Sequence, residues 1–312
     1  MPYFPLTQSH IPAIKLAEKK LNEWLGDDYV IFFSNSGSEA NETAFKIARQ
    51  YHQQKKGIIT AISLFHVIAL TTVIPWGALA ATGQAQRKYK YEPLGQGFLH
   101  VAPPDTYRNP DDVHTLASAE EIDRVMTWEL SQTVAGVIME PIITGGGILM
   151  PPDGYMAKVK EICEKHGALL ICDEVICGFG RTGKPFGFMN YGVKPDIITM
   201  AKGITSAYLP LSATAVRREI YEAYTGSEDY DRFRHVNTFG GNPAACALAL
   251  KKNLEIMENE NLIERSRELG ERLLRELADI KEHPNVGDVR GKGLLLGIEL
   301  VEDKQTKRTR CY

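Results

Sequence analysis

Three runs, VAGVIMEPI (134–142), ALLICDEVI (168–176) and PDIITMAK (195–202), constrain this chain most, because each carries apolar, β-prone residues at consecutive rather than alternating positions. A strand of that composition is buried on both faces, which in α/β proteins means a parallel sheet covered by helices. Tyr155–His166 lies between the first two runs and places apolar residues at helical spacing, which completes a strand–helix–strand unit. The same reading predicts a helix over Ile11–Trp24, a strand in DDYVIFFSN, and a helix over Ser38–Tyr51 with Ser38 as N-cap. It predicts a weaker strand at Pro210–Ala215 and a long helical stretch over Asn242–Leu277, broken near Glu258–Asn261. VGDVRGKGLLLGIEL reads as a glycine-rich turn followed by a strand. The alternation argues an open, mostly parallel sheet with helices on both faces, whose ligands gather at the carboxyl ends of the strands.

Composition narrows the function. A net charge of -3 offers no basic footprint for nucleic acid. The eight histidines are scattered, and Cys172 and Cys177 have no His or Cys partner at ligand spacing, so no metal site is expected. Cys163, Cys172, Cys177, Cys246 and Cys311 are odd in number and lack framework spacing, which fits reduced thiols and a cytoplasmic location. The N-terminus does not read as a signal peptide. From Gly57 to Gln84 no residue is charged; the run is long enough to nominate a membrane span, but its α/β surroundings favour buried core.

Four polar constellations fall at strand ends. Asn35-Ser36-Gly37-Ser38-Glu39 is a small-residue turn into a helix, where backbone N–H groups and a hydroxyl can seat a phosphate or simply cap the helix. Asp173 ends an apolar strand, where a carboxylate needs a cation, either a structural ion pair or a protonated ring nitrogen. Lys202 follows the strand DIITM and precedes Gly203; desolvation there would make it a nucleophile, whereas a solvated lysine would be inert. HVNTFGGNP (235–243) offers a further phosphate ligand or another cap. Each motif alone has an ordinary structural explanation, and it is their order that carries weight.

NSGSEANE, ICDEVICGFGRTG, AKGIT and TFGGNP, with Asp173 and Lys202 29 positions apart, together resemble the class III (ω-amino acid–pyruvate type) aminotransferases of pyridoxal-phosphate fold type I. The resemblance implies a large domain with a mostly parallel seven-stranded sheet flanked by helices, here 1–283 with an incomplete N-terminus, and only the start of a small C-terminal domain, 284–312. It implies that Lys202 holds pyridoxal 5′-phosphate covalently and shuttles a proton. By the same resemblance Asp173 pairs with the pyridine nitrogen, Val175 packs on the ring, and Ser36, Gly37 and Ser38 hold the phosphate. Thr238 reaches the phosphate of a neighbouring subunit in a homodimer or dimer of dimers, and Glu140 lies near the site. The implied reaction is ping-pong transamination by Schiff-base chemistry, from an ω-amino acid or related amine to pyruvate or another keto acid, with no nucleic-acid or membrane partner.

The chain departs from the family pattern at residues 69–76 (ALTTVIPW), where an aromatic-His-Gly element is expected. A codon choice exists for 59–76 that spells a segment containing Tyr-His-Gly in a shifted frame, so 58–76 reads as a compensated frameshift; 308–312 invites the same reading. Truncation at both ends, exposed apolar surface and the lost aromatic predict poor folding or little activity. Two alternatives follow: an inactive remnant that at most binds the cofactor, and an aminomutase or decarboxylase on the same scaffold.

Overall fold

The computed structural model describes residues 10–56, 63–67, 75–228 and 230–309. Seven strands form one sheet: β1 (Tyr29–Ser34), β2 (Ser63–Val67), β3 (Phe98–Val101), β4 (Val134–Met139), β5 (Leu169–Asp173), β6 (Ile197–Met200) and β7 (Ser212–Arg217), in the order β1-β7-β6-β5-β4-β2-β3. From β6 to β3 every pairing is parallel, while β7 runs antiparallel to both of its neighbours. The expected mostly parallel, seven-stranded sheet is therefore present.

Every residue of β4, β5 and β6 is buried, as consecutive apolar positions require. Side chains alternate between the faces of a strand, so each strand feeds two cores. Val137, Met139, Leu170, Cys172, Ile198 and Met200 enter one core, and Ala135, Ile138, Leu169, Ile171 and Ile197 enter the other. Helix α1 (Gly37–Lys56) covers the second face with Ala44, Phe45, Ile47 and Ala48. Helices α2 (Ala117–Trp128) and α3 (Tyr155–His166) cover the first, through Ile122 and Met126 and through Tyr155, Met156, Val159 and Ile162. Each fully buried aliphatic side chain contributes about 1.5–3 kcal/mol, so these two layers hold the carboxyl ends of β5 and β6 rigidly. At Gly136 a Cβ would come within 2.6 Å of the Leu169 carbonyl, so the β4–β5 approach tolerates no side chain there.

Outside the sheet, the N-terminal helical segment runs through Ile11–Ile14, π-helical Lys15–Leu21 and Asn22–Leu25, burying Leu16, Leu21, Trp24 and Leu25. The long helical stretch expected near the C-terminus is present and breaks where predicted, between Asn259 and Leu262. The segment read as a turn and one strand is instead two, β8 (Val286–Lys292) and β9 (Leu295–Asp303), in a separate three-stranded antiparallel sheet with β10 (Arg308–Thr309). Gly293 makes the turn between β8 and β9, with a left-handed backbone at φ 55°, while two other glycines serve close approach: a Cβ on Gly291 would lie 2.3 Å from the Leu295 carbonyl, and one on Gly287 2.2 Å from the Tyr107 hydroxyl.

Within the uncharged run, Ser63–Val67 is an interior strand of the sheet and Trp76–Ala81 a short helix. No helix among the described residues is long and apolar enough to cross a membrane. The frameshift readings at 58–76 and 308–312 fall mostly on 57–62, 68–74 and 310–312, outside the described residues. Cys163, Cys172, Cys177 and Cys246 are buried free thiols, and Cys311 lies outside the described residues.

Candidate active site

The carboxyl ends of β1, β5 and β6 meet beneath the first turns of α1. Asp173, the last residue of β5, is 4% exposed. The Asn41 amide donates to its Oδ2 (2.8 Å) and the Val175 N–H to its Oδ1 (2.9 Å). Burial pushes the Asp173 carboxyl above the usual carboxylate range, opposed by these two donors and by the charge of Lys202. Among the described residues no cationic side chain lies within ion-pair distance of it. An acid placed so deeply with neutral donors has capacity left for a cation from outside the chain.

Val175 packs directly against the start of α1. A Cβ added at Gly37 would fall 2.8 and 2.9 Å from the two Val175 methyl groups, so only glycine fits where α1 begins. Ser36, rather than the expected Ser38, caps this helix: its Oγ accepts from the Glu39 N–H (3.2 Å). Glu39 answers by accepting from the N–H groups of Asn35 (2.7 Å) and Ser36 (3.1 Å), which is a capping box. The reason for the shift is the spacing Ser36-x-x-Glu39, which closes two residues ahead of the site predicted from Ser38. Gly37 and Ser38 thereby become the first helical residues, whose N–H groups have no acceptor within the helix and face the positive end of its dipole.

Lys202 opens the short turn Lys202–Ile204 directly after β6, with a left-handed backbone at φ 34°. It is exposed, so the expected desolvation of its amine is not found in this chain; its effect on Asp173 is through its charge. Thr238 is also exposed, in the loop before helix Pro243–Leu248. That loop is tied to the α1 N-terminus by the Asn35 amide, which donates to Asn237 Oδ1 (2.7 Å). At its far end Asn242 caps the helix, accepting from Ala244 (3.0 Å) and Ala245 (3.2 Å), so the cap reading of this motif holds for Asn242. Glu140, just beyond β4, is buried and accepts from the Thr144 N–H (2.8 Å) and hydroxyl.

The structure thus gathers Gly37, Val175, Asp173 and Lys202, sets Ser36 and Ser38 beside them, joins Thr238 through its loop, and keeps Glu140 one strand away. Three residues were not singled out from the sequence. Asn41 follows Gly37 by one helical turn, a spacing that could have marked it. Glu174 is fully buried; its carboxyl accepts from the N–H groups of Gly187 (2.8 Å) and Phe188 (2.7 Å). Burial pushes Glu174 up to about 8, against the pull of those donors. Asn253 is distant in sequence, and no local pattern points to it.

A buried acid, an amine and a helix N-terminus brought together at the strand ends can bind an anionic, cationic-ringed molecule and attack its carbonyl. Comparison with known proteins gives that chemistry a family. The family model described as "Aminotransferase class-III" matches residues 4–312. The chain belongs to the class III aminotransferases. It is 76% identical over 312 residues to the uncharacterized aminotransferase YhxA of Bacillus subtilis, covering 98% of this chain and 68% of that one. It is 43% identical over 318 residues to the taurine–pyruvate aminotransferase of Bilophila wadsworthia, again over 98% and 68%. Among solved structures, the ω-transaminase of Pseudomonas jessenii in complex with PMP superposes with a TM-score of 0.93 at 34% identity, covering 100% of this chain and 70% of that one. The class III family is pyridoxal-phosphate-dependent, and this chain spans about two thirds of the length of these relatives.

Proposed function

We propose that this chain forms the cofactor-binding part of a transaminase that moves the amino group of an ω-amino acid or related amine to pyruvate or another keto acid. The observation that carries the reading is the buried Asp173 carboxyl, bonded only by neutral donors, with Lys202 close enough for its charge to be felt. The residues fit pyridoxal phosphate on three counts: this acid, the glycine required at Gly37 against Val175, and a capped helix whose first N–H groups lack acceptors.

When bound, the cofactor supplies an aldehyde that takes the amino group and a ring that withdraws electrons from the substrate carbon. Asp173 keeps the ring nitrogen protonated, with Asn41 and the Val175 N–H holding the carboxylate in place. Val175 covers one ring face. The N–H groups of Gly37 and Ser38, with the hydroxyls of Ser36 and Ser38, hold the phosphate. Lys202 Nζ would hold the cofactor and would carry a proton from and back to the substrate carbon. Glu140 supports the neighbouring strand end. Thr238 completes the phosphate seat of a second copy, making the functional unit a homodimer; its exposure supports that role. The separate sheet β8–β10 supports reading 284–312 as belonging to a small domain apart from the large one. The likeness to a taurine–pyruvate enzyme supports an amine donor with its amino group at the chain end and an acidic group at the other.

The reading is tested by adding pyridoxal phosphate to the 312-residue chain, then taurine or β-alanine, and following conversion of the cofactor to its amine form by absorbance. Slow conversion by an ω-amino acid, in keeping with the little activity expected of this chain, followed by its reversal with pyruvate, is expected. Carbon dioxide release without a need for a keto acid would replace this reading with a decarboxylase.

A further inference from the structure

Lys202 is exposed and yet held in a left-handed backbone conformation, which is strained for a residue other than glycine. The packing of the turn shows what imposes it. On one side the Gly203 backbone rests on Phe179, itself buried and left-handed at φ 56°: a Cβ on Gly203 would lie 2.5 Å from the Phe179 Cβ. On the other side Asn253, the last residue of π-helical Ala249–Asn253, donates from Nδ2 to the carbonyls of Gly203 (2.6 Å) and Ile204 (3.2 Å). Its Oδ1 accepts from the Ser206 hydroxyl (2.6 Å), so one side chain spans the whole turn after Lys202. A π-helical segment inside an α-helix is a frequent mark of a functional position.

Phe179 is fixed in turn by Glu174. The Glu174 carbonyl accepts from the Gly178 N–H (2.9 Å), and its carboxyl takes the N–H groups of Gly187 and Phe188, so both ends of the loop carrying Phe179 close on one residue. The Glu174 N–H donates to the Thr199 carbonyl (2.8 Å) on β6, the strand that leads into Lys202. Phe186 meets the Phe179 ring edge-on, with centroids 5.4 Å apart, and prevents the loop from sagging.

We infer that Asn253 and Glu174 are positioning residues of this site: they form the two jaws of a clamp that sets the Lys202–Gly203 backbone and so aims the Lys202 amine. The inference rests on the reading of Lys202 as the residue that takes pyridoxal phosphate. In that step the Lys202 nitrogen bonds to the aldehyde carbon, and the aldehyde oxygen leaves as water. Aim governs such a step far more than it governs reversible binding to the Asp173 carboxyl and the α1 N-terminus; the Asn253 and Glu174 side chains make none of the hydrogen bonds recorded for the Asp173 carboxyl or the α1 cap.

The test separates the two. Reversible affinity is measured with 4′-deoxypyridoxine 5′-phosphate, which lacks the aldehyde, and capture by the rate at which pyridoxal phosphate becomes fixed to the protein on borohydride reduction. Asn253→Ala, Asn253→Asp (which keeps only the acceptor) and Glu174→Gln are each expected to bind the analogue like the unaltered chain. Their capture should be about ten- to a hundredfold slower, with faster amide exchange across 203–206. Capture at the unaltered rate would remove that residue from the clamp. Parallel loss of analogue binding and capture would show a merely structural role and overturn the inference. If the unaltered chain captures nothing, the reading of Lys202 fails; amide exchange across 203–206 then decides the clamp alone, and exchange unchanged by Asn253→Ala would refute it.

Discussion

The two ends of the proposed cofactor site are built differently. At the ring end, Asp173 and Val175 sit at the rim of two packed cores, and each is fixed by a backbone donor or by contact with Gly37. At the phosphate end, Ser36 and Thr238 are exposed, and the Thr238 loop is joined to the site by the bond from Asn35 to Asn237. The contrast teaches that one chain can preorganise the part of the site that tunes a ring, because a buried acid needs a surrounding core. Phosphate recognition depends instead on backbone N–H groups at a helix end, which need no buried surroundings.

Breaking the ring end should have the largest effect. Asp173→Asn keeps one acceptor oxygen for the Val175 N–H and lets Asn41 turn its own amide oxygen to the new NH2, but removes the charge, and should weaken pyridoxal-phosphate binding by about 1.5–3 kcal/mol, read by absorbance titration. An unchanged affinity would erase the distinction between the two ends.

Next is a pH effect on the protein without cofactor. Asp173 and Glu174 both have carboxyls raised by burial, Glu174 to about 8. Between the unfolded carboxylate range, about 4, and those raised values, the folded state holds more protons than the unfolded one, so stability falls as pH rises. Urea midpoints should therefore decline from pH 5 to pH 8, and Glu174→Gln should flatten the decline. A rising profile would contradict the burial argument.

The joint between the two ends comes third. Gly37→Ala drives a Cβ into the Val175 methyls and should cost about 1–3 kcal/mol of stability in denaturant, and displace Val175 from the ring. The smallest effect belongs to the phosphate end, where Ser36→Ala removes an N-cap worth about 0.5–2 kcal/mol. Its loss should leave Lys202 capture intact while weakening binding of free phosphate in competition titrations.

The same contrast explains what was legible in the sequence. β4, β5, β6 and α3 could be read because burial on both faces leaves unbroken apolar runs and helical spacing leaves a stripe, both local signals. Asp173 and Lys202 could be read because chemistry demands those residue types at strand ends. The N-cap was misplaced by two residues because Ser36 and Ser38 are equivalent until the reach of Glu39 is known. β8 was missed because its glycines accommodate Tyr107 and the facing strand, contacts invisible in the segment itself. Asn253 and Glu174 act through bonds to backbone atoms far away in sequence, and the exposure of Lys202 is a property of the assembled surface rather than of its neighbours.

The central claim is that Lys202 and Asp173 together hold pyridoxal phosphate in this chain. The most direct test is borohydride reduction of the protein mixed with the cofactor, followed by peptide mass mapping of unaltered, Lys202→Ala and Asp173→Asn proteins. The account predicts one modified peptide, carrying Lys202, absent from the first variant and reduced in the second. Modification spread over several surface lysines, or equal labelling in Lys202→Ala, would contradict it.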